Sequence, residues 1–480
     1  MARPLADDAG VWRPHIGSGP DTSRQRDVVS VIAPYDGRIL GEVDQCDSTD
    51  VDIAVARAAT ACRESVGPGH IRSKWLHAAA DALEANADEI VTTLIHTLGK
   101  PRRLSLGEAQ RGPTMLRNCA EEISRMRGET LPLDAVPGGE GRWGFTRREP
   151  FGVVAAITPF NAPVNLLLQK VAPALAMGNA VIVKPAPEGA IVALQIAEIL
   201  ADVVPEGLLS VLPGGPSVAL DLVSRREVRA VSLTGGVAAG RAVMSQAGIK
   251  PVLLELGSNA PNIVCADADL EKAAVGIAGA AFGASGQQCI SAQRVIVERG
   301  AVAAFATLFT AAAAEMVVGD PSESTTDIGP VIDERARARI FEHIDDAVAR
   351  GADLVLDGRG DDLCIGPTIL ADVPHNARLM REEVFGPVVA LVSADSVDEA
   401  IAIANDSDLG LQASCFTGSL ATAMRAAEDL QAGSVWINEP TRFRLDIYPF
   451  GGYGNSGIGR EGVRYAMEAF SQLKFVGITP

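Results

Sequence analysis

The chain has 480 residues, a formal net charge of -18 at pH 7, and 47% hydrophobic against 21% charged residues. That length exceeds what one hydrophobic core serves and implies two or three domains, and that balance excludes a disordered or fibrous chain. The acidity excludes a nucleic-acid footprint or adsorption to an anionic membrane surface, so any anionic ligand needs local arginines.

The opening MARPLADDAGVWRPH lacks a basic segment followed by an apolar one and does not read as a secretory signal. GVVAAITPFNAPVNLLL is interrupted by Pro159, Asn161, Pro163 and Asn165, so it is not a membrane span, and the cytoplasm is the expected location. Seven cysteines without CxxC spacing, and six histidines without HExxH, support neither a disulfide framework nor a metal site.

In chain order, DSTDVDIAVARAATA and HIRSKWLHAAADALEANADEIVTTLIHTLGK predict amphipathic helices. GVVAAIT (152–158) and NAVIVKP (179–185) predict buried parallel strands joined by the crossover helix VNLLLQKVAPALAMG. LLSVLPG, AVSLTGG and PVLLELG follow as short apolar runs ending in glycine, with AIVALQIAEILADVV and GRAVMSQAG as helices. The repeated unit predicts an open parallel sheet with ligand loops at the strands' carboxyl ends. Neither GxGxxG nor GxxxxGK[ST] is present, so a dinucleotide's pyrophosphate would be held differently. After Gly257 a second α/β series begins: the helix EKAAVGIAGAAFGASG, the strand RVIVE, the helix AVAAFATLFTAAAAEM, then the strands VVALVS and GSVWIN.

Three residues carry candidate chemistry. Cys289 in GASGQQCISAQR is flanked by glycines and polar side chains. It reads either as a buried space-filler or as a nucleophile whose thiolate a cation or helix end stabilises. Glu255, ending the run LLELG, is either a solvated cap or a desolvated general base. Asn161 in TPFNAP either bonds its own backbone or stabilises an oxyanion, with the Cys289 N–H as second donor.

With these neighbours the chain resembles the aldehyde dehydrogenase superfamily from PYDGRILGEV to GGYGNSGIGREG. The resemblance rests on TPFNAP, GNAVIVKP, SLTGG, LELGSNAP, GQQCISAQR, EEVFGPV and GSVWIN, in register. It implies a Rossmann-like dinucleotide-binding domain (1–128 and 149–257), an α/β catalytic domain (258–438), and a substrate-pocket loop with return segment (439–465). It further implies a β oligomerisation arm (129–148 and 466–480), hence a homodimer or homotetramer. By resemblance, Cys289 forms a thiohemiacetal, Asn161 and the Cys289 amide form the oxyanion hole, hydride passes to NAD or NADP, and Glu255 activates the water that hydrolyses the thioester. Glu255 favours a free acid over an acyl-CoA product.

The implied coenzyme contacts are Thr158, Pro159, Phe160, Lys184, Gly215, Thr234, Gly235, Gly236, Leu256, Gly257, Glu383 and Phe385. Lys184 would meet the adenosine ribose, and Glu383 and Phe385 the nicotinamide side. Gly236 stands where many members carry serine, which leaves more of the anion binding to the helix N-terminus. Pro187 stands where NAD-specific relatives carry glutamate, with Glu188 one place later, so the coenzyme is NAD or NADP.

LELGSNAP, with Ser258, and TRFRLDIYPFGG resemble the branch acting on lactaldehyde, glyceraldehyde phosphate and phosphonoacetaldehyde. The implied substrate is a small aldehyde, hydroxylated or carrying a carboxylate, phosphonate or phosphate, bound by Asn161, Gln288 and Arg442 or Arg444. Arg102 and Arg103 after LGK read as a solvated helix end or a pocket entrance. Three rivals stand beside this reading: a non-catalytic structural member of the same fold, a coenzyme-free esterase, and an enzyme for neutral aliphatic aldehydes.

Overall fold

The strands Val153–Thr158 and Ala180–Pro185 are buried along their whole length. They are unbroken apolar runs because a parallel sheet is covered on both faces. In this computed structural model, which describes residues 10–480, they lie at the centre of a six-stranded sheet. Residues 1–9 of the stretch read for a secretory signal lie outside the described part. Across that sheet the order is Gly457–Ile458, Val252–Glu255, Val228–Thr234, Val153–Thr158, Ala180–Pro185 and Leu209–Val211, parallel except for the first strand.

The crossover helix Pro163–Met177 starts with proline in its first turn and stops at Gly178, whose φ of 91° gives the left-handed cap. The returning strand Gly457–Ile458 sets Gly457 opposite Glu255. A Cβ on Gly457 would fall 2.1 Å from the Leu254 carbonyl, so glycine is required there.

A seven-stranded sheet forms the second body, ordered Asp353–Leu356, Thr368–Ala371, Val388–Ala394, Arg294–Glu298, Pro261–Val264, Gln412–Phe416 and Ser434–Ile437. Arg294 is fully buried at its centre, donating Nε to the Asn259 carbonyl and its Nη atoms to those of Ile403 and Ala404. It thereby ties the strand after the nucleophile loop to the neighbouring chain segments.

A small antiparallel sheet pairs Thr130–Leu131, Trp143–Pro150 and Ser471–Ile478. Trp143, Leu473, Phe475 and Ile478 are exposed on it.

Three stretches differ from the sequence expectation. The long helical run after His70 breaks at Asn86 into Gly69–Ala85 and Ala87–Leu98. The helix before the nucleophile stops at Phe282, because Ala284, Ser285 and Gly286 all take left-handed backbone. Residues 466–470 lie in the helix Val463–Ala469 and its end, where Ala466, Met467 and Phe470 pack into the first core; the arm strand starts at Ser471.

Candidate active site

Between the two large sheets a cleft of about 420 Å³ opens at the carboxyl ends of the first sheet's strands. Its floor carries Thr158, Pro159, Phe160 and Asn161 after one strand and Lys184 on the next. Thr234, Gly235 and Gly236 open the helix Val237–Ala247, and Leu256 and Gly257 follow Glu255. Across the cleft stand Cys289, Glu383 and Phe385. Gly215 lies outside this lining, which its neighbour Pro216 joins instead.

The cleft fits an adenine dinucleotide. Gly236 caps its helix without a side chain, so the first N–H groups are left for an anion. Burial pulls Lys184 down to about 8, and Glu188 pulls against it. Glu188 itself lines a different, smaller cavity with Ser30, Thr97 and Asp333. Burial pushes Glu383 up to about 7 against the Ser258 N–H, which donates to it at 3.0 Å, and against the nearby Arg339. A Cβ on Gly257 would come within 2.6 Å of the Glu383 carboxylate, so that glycine lets the carboxylate reach its place. Phe385 holds a left-handed φ of 48° and meets the Phe160 ring edge-on at 6.0 Å. Such backbone costs on the order of 1–3 kcal/mol and persists where surrounding contacts impose it.

Cys289 is half-buried at the inner end of this cleft, against Ile290 and Phe450. The left-handed turn before it is pinned by Ser285, whose hydroxyl donates to the Gly329 carbonyl at 2.8 Å, and by Gln287, which accepts the Ile332 N–H at 3.0 Å. Burial pushes the thiol up to about 12, with Arg444 pulling it down. Asn161 Nδ2 donates to the Gln287 carbonyl at 2.9 Å, bridging the two loops, and its second N–H has no partner among the described residues.

Glu255 is buried, and neither carboxylate oxygen has a hydrogen-bond partner among the described residues. Burial raises it well above the carboxylate range and the neighbouring Glu461 adds to this, while Arg444 and Lys170 oppose.

The residues sequence reasoning missed form the network behind Glu255. Lys170 is fully buried and donates to Thr234 Oγ1 at 2.7 Å and Glu461 Oε1 at 2.8 Å. Glu461 Oε2 accepts from Arg444 Nη2 at 2.8 Å. Burial opposes ionisation of Glu461, but Lys170 and Arg444 outweigh it and hold Glu461 below its ordinary range. Arg444 also donates to Gln169, which reaches Asp446, itself paired with Arg111. The available signal was Lys170, the one charged residue in the largely apolar helix Pro163–Met177. Arg339, also on the cleft wall, carried no such signal.

Arg442 and Arg444 are two residues apart but sit in different surroundings. Arg444 is spent on Glu461 and Gln169 and stacks 3.6 Å over the Phe450 ring. Arg442 donates Nε to Gln288 at 2.9 Å and Nη1 to the Gly279 carbonyl at 2.9 Å, with no carboxylate partner among the described residues. It lines a second cavity of about 450 Å³ together with Arg103, Lys272 and Gly283. Burial, and then Arg103, bring Arg442 down to about 10.

The family model for the aldehyde dehydrogenase family matches residues 21–476. This chain belongs to the aldehyde dehydrogenase family. It is 40% identical to 3-sulfolactaldehyde dehydrogenase of Priestia aryabhattai over 450 residues, 93% of this chain and 94% of the relative. It is 36% identical to NADP-dependent glyceraldehyde-3-phosphate dehydrogenase of Streptococcus equinus over 453 residues, 94% of this chain and 95% of the relative. The crystal structure of NADP-dependent glyceraldehyde-3-phosphate dehydrogenase from Bacillus halodurans C-125, complexed with NADP, superposes with a TM-score of 0.94. Identity to it is 35%, covering 97% of this chain and 98% of that one. As an aldehyde dehydrogenase the chain thus has the family's fold over nearly its whole length. Among the described residues no helix is long and apolar enough to cross a membrane.

Proposed function

We propose that this aldehyde dehydrogenase oxidises a short anionic aldehyde to its carboxylic acid, using NAD or NADP. The coenzyme, when bound, supplies the hydride acceptor. Cys289 gives its thiol proton to water and adds its sulfur as the thiolate to the aldehyde carbon, and the resulting oxyanion is held by the second N–H of Asn161 and the Cys289 main-chain N–H. Loss of hydride leaves a thioester on Cys289. Glu255 then takes a proton from water, whose oxygen attacks the thioester carbon; the carbon–sulfur bond breaks and the acid leaves. The observation that carries this reading is that a dinucleotide-sized cleft ends on a cysteine bridged through its own loop to Asn161.

The anionic character rests on Arg442, a guanidinium without an ion-paired carboxylate among the described residues, on a cavity wall it shares with Arg103, Lys272 and Glu439 in an acidic protein. It bonds the side chain of Gln288, next to the nucleophile. Gly283 makes the room, since a Cβ there would fall 2.1 Å from Arg442 Nη1. The two relatives named above are, by name, dehydrogenases of a sulfonated and a phosphorylated aldehyde, in keeping with an oxyanion on the substrate. Cytoplasmic location and homo-oligomeric assembly are part of this proposal.

The test is initial-rate kinetics with neutral, carboxylated, phosphorylated and sulfonated short aldehydes, each with NAD and NADP, on the parent and on C289A. A parent preferring anionic aldehydes and an inactive C289A are expected. Equal kcat/KM for neutral and anionic aldehydes removes the substrate proposal, and an active C289A removes the mechanism.

A further inference from the structure

The helix Pro163–Met177 begins at Ala162, whose methyl group is unable to cap it. The N–H groups of Val164 and Asn165 donate instead to one oxygen of Glu108, at 2.8 and 3.3 Å, reaching across from the helix Arg102–Glu122. The other Glu108 oxygen is ion-paired with Lys100. Lys100 Nζ donates in addition to the main-chain carbonyl of Asn161 at 3.0 Å. Both charges are buried, Lys100 at 8% and Glu108 at 3% exposure, so each depends on the other for its compensation.

We propose that Lys100 and Glu108 are positioning residues for the oxyanion site: the pair locks residues 161–165 and so fixes the Asn161 amide against the nucleophile loop. The inference rests on the reading of Asn161 as oxyanion donor given under Proposed function. Asn161 is gripped from two sides, its carbonyl by Lys100 and its Nδ2 by the Gln287 carbonyl, two residues before Cys289. Just after it, Glu108 holds the first helical turn through the Val164 and Asn165 N–H groups.

The local chain around Lys100 is rigid for the same purpose. Gly99 holds a φ of 63° where a Cβ would meet Pro330 at 2.2 Å, and the Ser105 hydroxyl donates to the Lys100 carbonyl at 3.1 Å. The carboxylate suits a helix N-terminus electrostatically. Alone, however, it would set a negative charge behind a developing oxyanion; Lys100 cancels it. The LGK segment, read from sequence only for the arginines that follow it, thus supplies a turn glycine and an oxyanion-loop lysine.

The test compares E108Q, E108A and K100M with the parent, each also made in an N161A background, on the full-length enzyme with coenzyme. Two steps that form an oxyanion are followed, aldehyde oxidation and hydrolysis of p-nitrophenyl acetate, beside one that forms none, alkylation of Cys289 by iodoacetamide. Displacing an oxyanion donor costs on the order of 10- to 100-fold. E108A and K100M are expected to lower kcat and ester hydrolysis together by that factor, with aldehyde KM and the alkylation rate unchanged. E108Q, which keeps an acceptor oxygen for the helix N–H groups and for Lys100, is expected to retain more activity than E108A.

In the N161A background none of the three substitutions should cost anything further. A full additional loss there, or a parallel fall in alkylation rate, overturns the proposal, as does an E108Q as impaired as E108A. Should N161A itself be fully active, the oxyanion reading fails, a result separate from failure of the pair.

Discussion

Arg444 donates to Glu461 at 2.8 Å while its guanidinium lies 3.6 Å over the Phe450 ring, and that ring packs with Ile290 beside Cys289. One cation therefore acts on two titrating groups. It draws the Cys289 thiol down from the value burial sets and it opposes the protonation of Glu255. An apolar replacement at 444 leaves both groups further into their neutral forms. R444M is expected to slow iodoacetamide alkylation of Cys289 about tenfold at fixed pH, the loss matching ~1.4 kcal/mol of thiolate stabilisation. An unchanged alkylation rate would separate Arg444 from the nucleophile.

Glu255 sets the sign of the pH dependence. Because its folded value is raised, the ionised form that accepts a proton from water grows as pH rises. Thioester hydrolysis should accelerate as pH rises above the ordinary carboxylate range, and E461Q, which removes the adjacent carboxylate, should move that rise to lower pH. E255Q is expected to give one burst of reduced coenzyme and then a steady state at least ~100-fold slower than the parent. Single-turnover absorbance at the reduced-nicotinamide band checks both, and a normal E255Q steady state would sink the base assignment.

Arg442 and Arg444 should fail differently. R442A removes the guanidinium without an ion-paired carboxylate among the described residues and is expected to raise KM for an anionic aldehyde at least about tenfold with kcat nearly unchanged, the signature of lost uniform binding. A neutral aldehyde should show little effect. G283A, which pushes on the same guanidinium, should act in the same direction more weakly. R444A should lower kcat for both substrate types, and a swap of these two patterns would reverse the assignment.

Coenzyme choice follows from where Glu188 sits. It faces a cavity other than the cleft, while Lys184 faces the cleft without an ion-paired carboxylate among the described residues. A 2′-phosphate in the cleft therefore meets Lys184, while Glu188, near enough to act on that lysine, lines the neighbouring cavity, and NADP should be used at least as well as NAD. P187E is expected to lower kcat/KM for NADP at least about tenfold with NAD little changed, through like-charge repulsion. Steady-state kinetics with both coenzymes decides it; strong NAD preference in the parent would contradict the reading.

The three-stranded arm leaves Ser471–Ile478 as an edge with Leu473, Phe475 and Ile478 exposed. Exposed apolar edges of this kind are covered by partners in stable proteins. Sedimentation should find a dimer or tetramer, and L473K/F475K should shift it toward monomer.

Much of the fold and the places of the candidate residues were legible locally, because the turns that carry them have strict requirements. Apolar runs such as VVAAIT and VLLE, followed by a proline- or glycine-bounded turn, marked a parallel sheet and the places of Asn161 and Glu255, while Cys289 stands in a glycine-rich turn between a helix and the strand Arg294–Glu298. Buried strands must be apolar and the turns after them must reverse sharply, so both leave a mark within a few neighbouring residues. What the sequence withheld are relations between residues far apart in the chain. Lys170 finds Glu461 across 291 positions and Lys100 finds Asn161 across 61. The different fates of Arg442 and Arg444 depend on Glu461 and Gln169 meeting only one of them. A side chain's charge state and its freedom to bind a ligand follow from burial and from the partner it meets in space. Only the folded chain decides these.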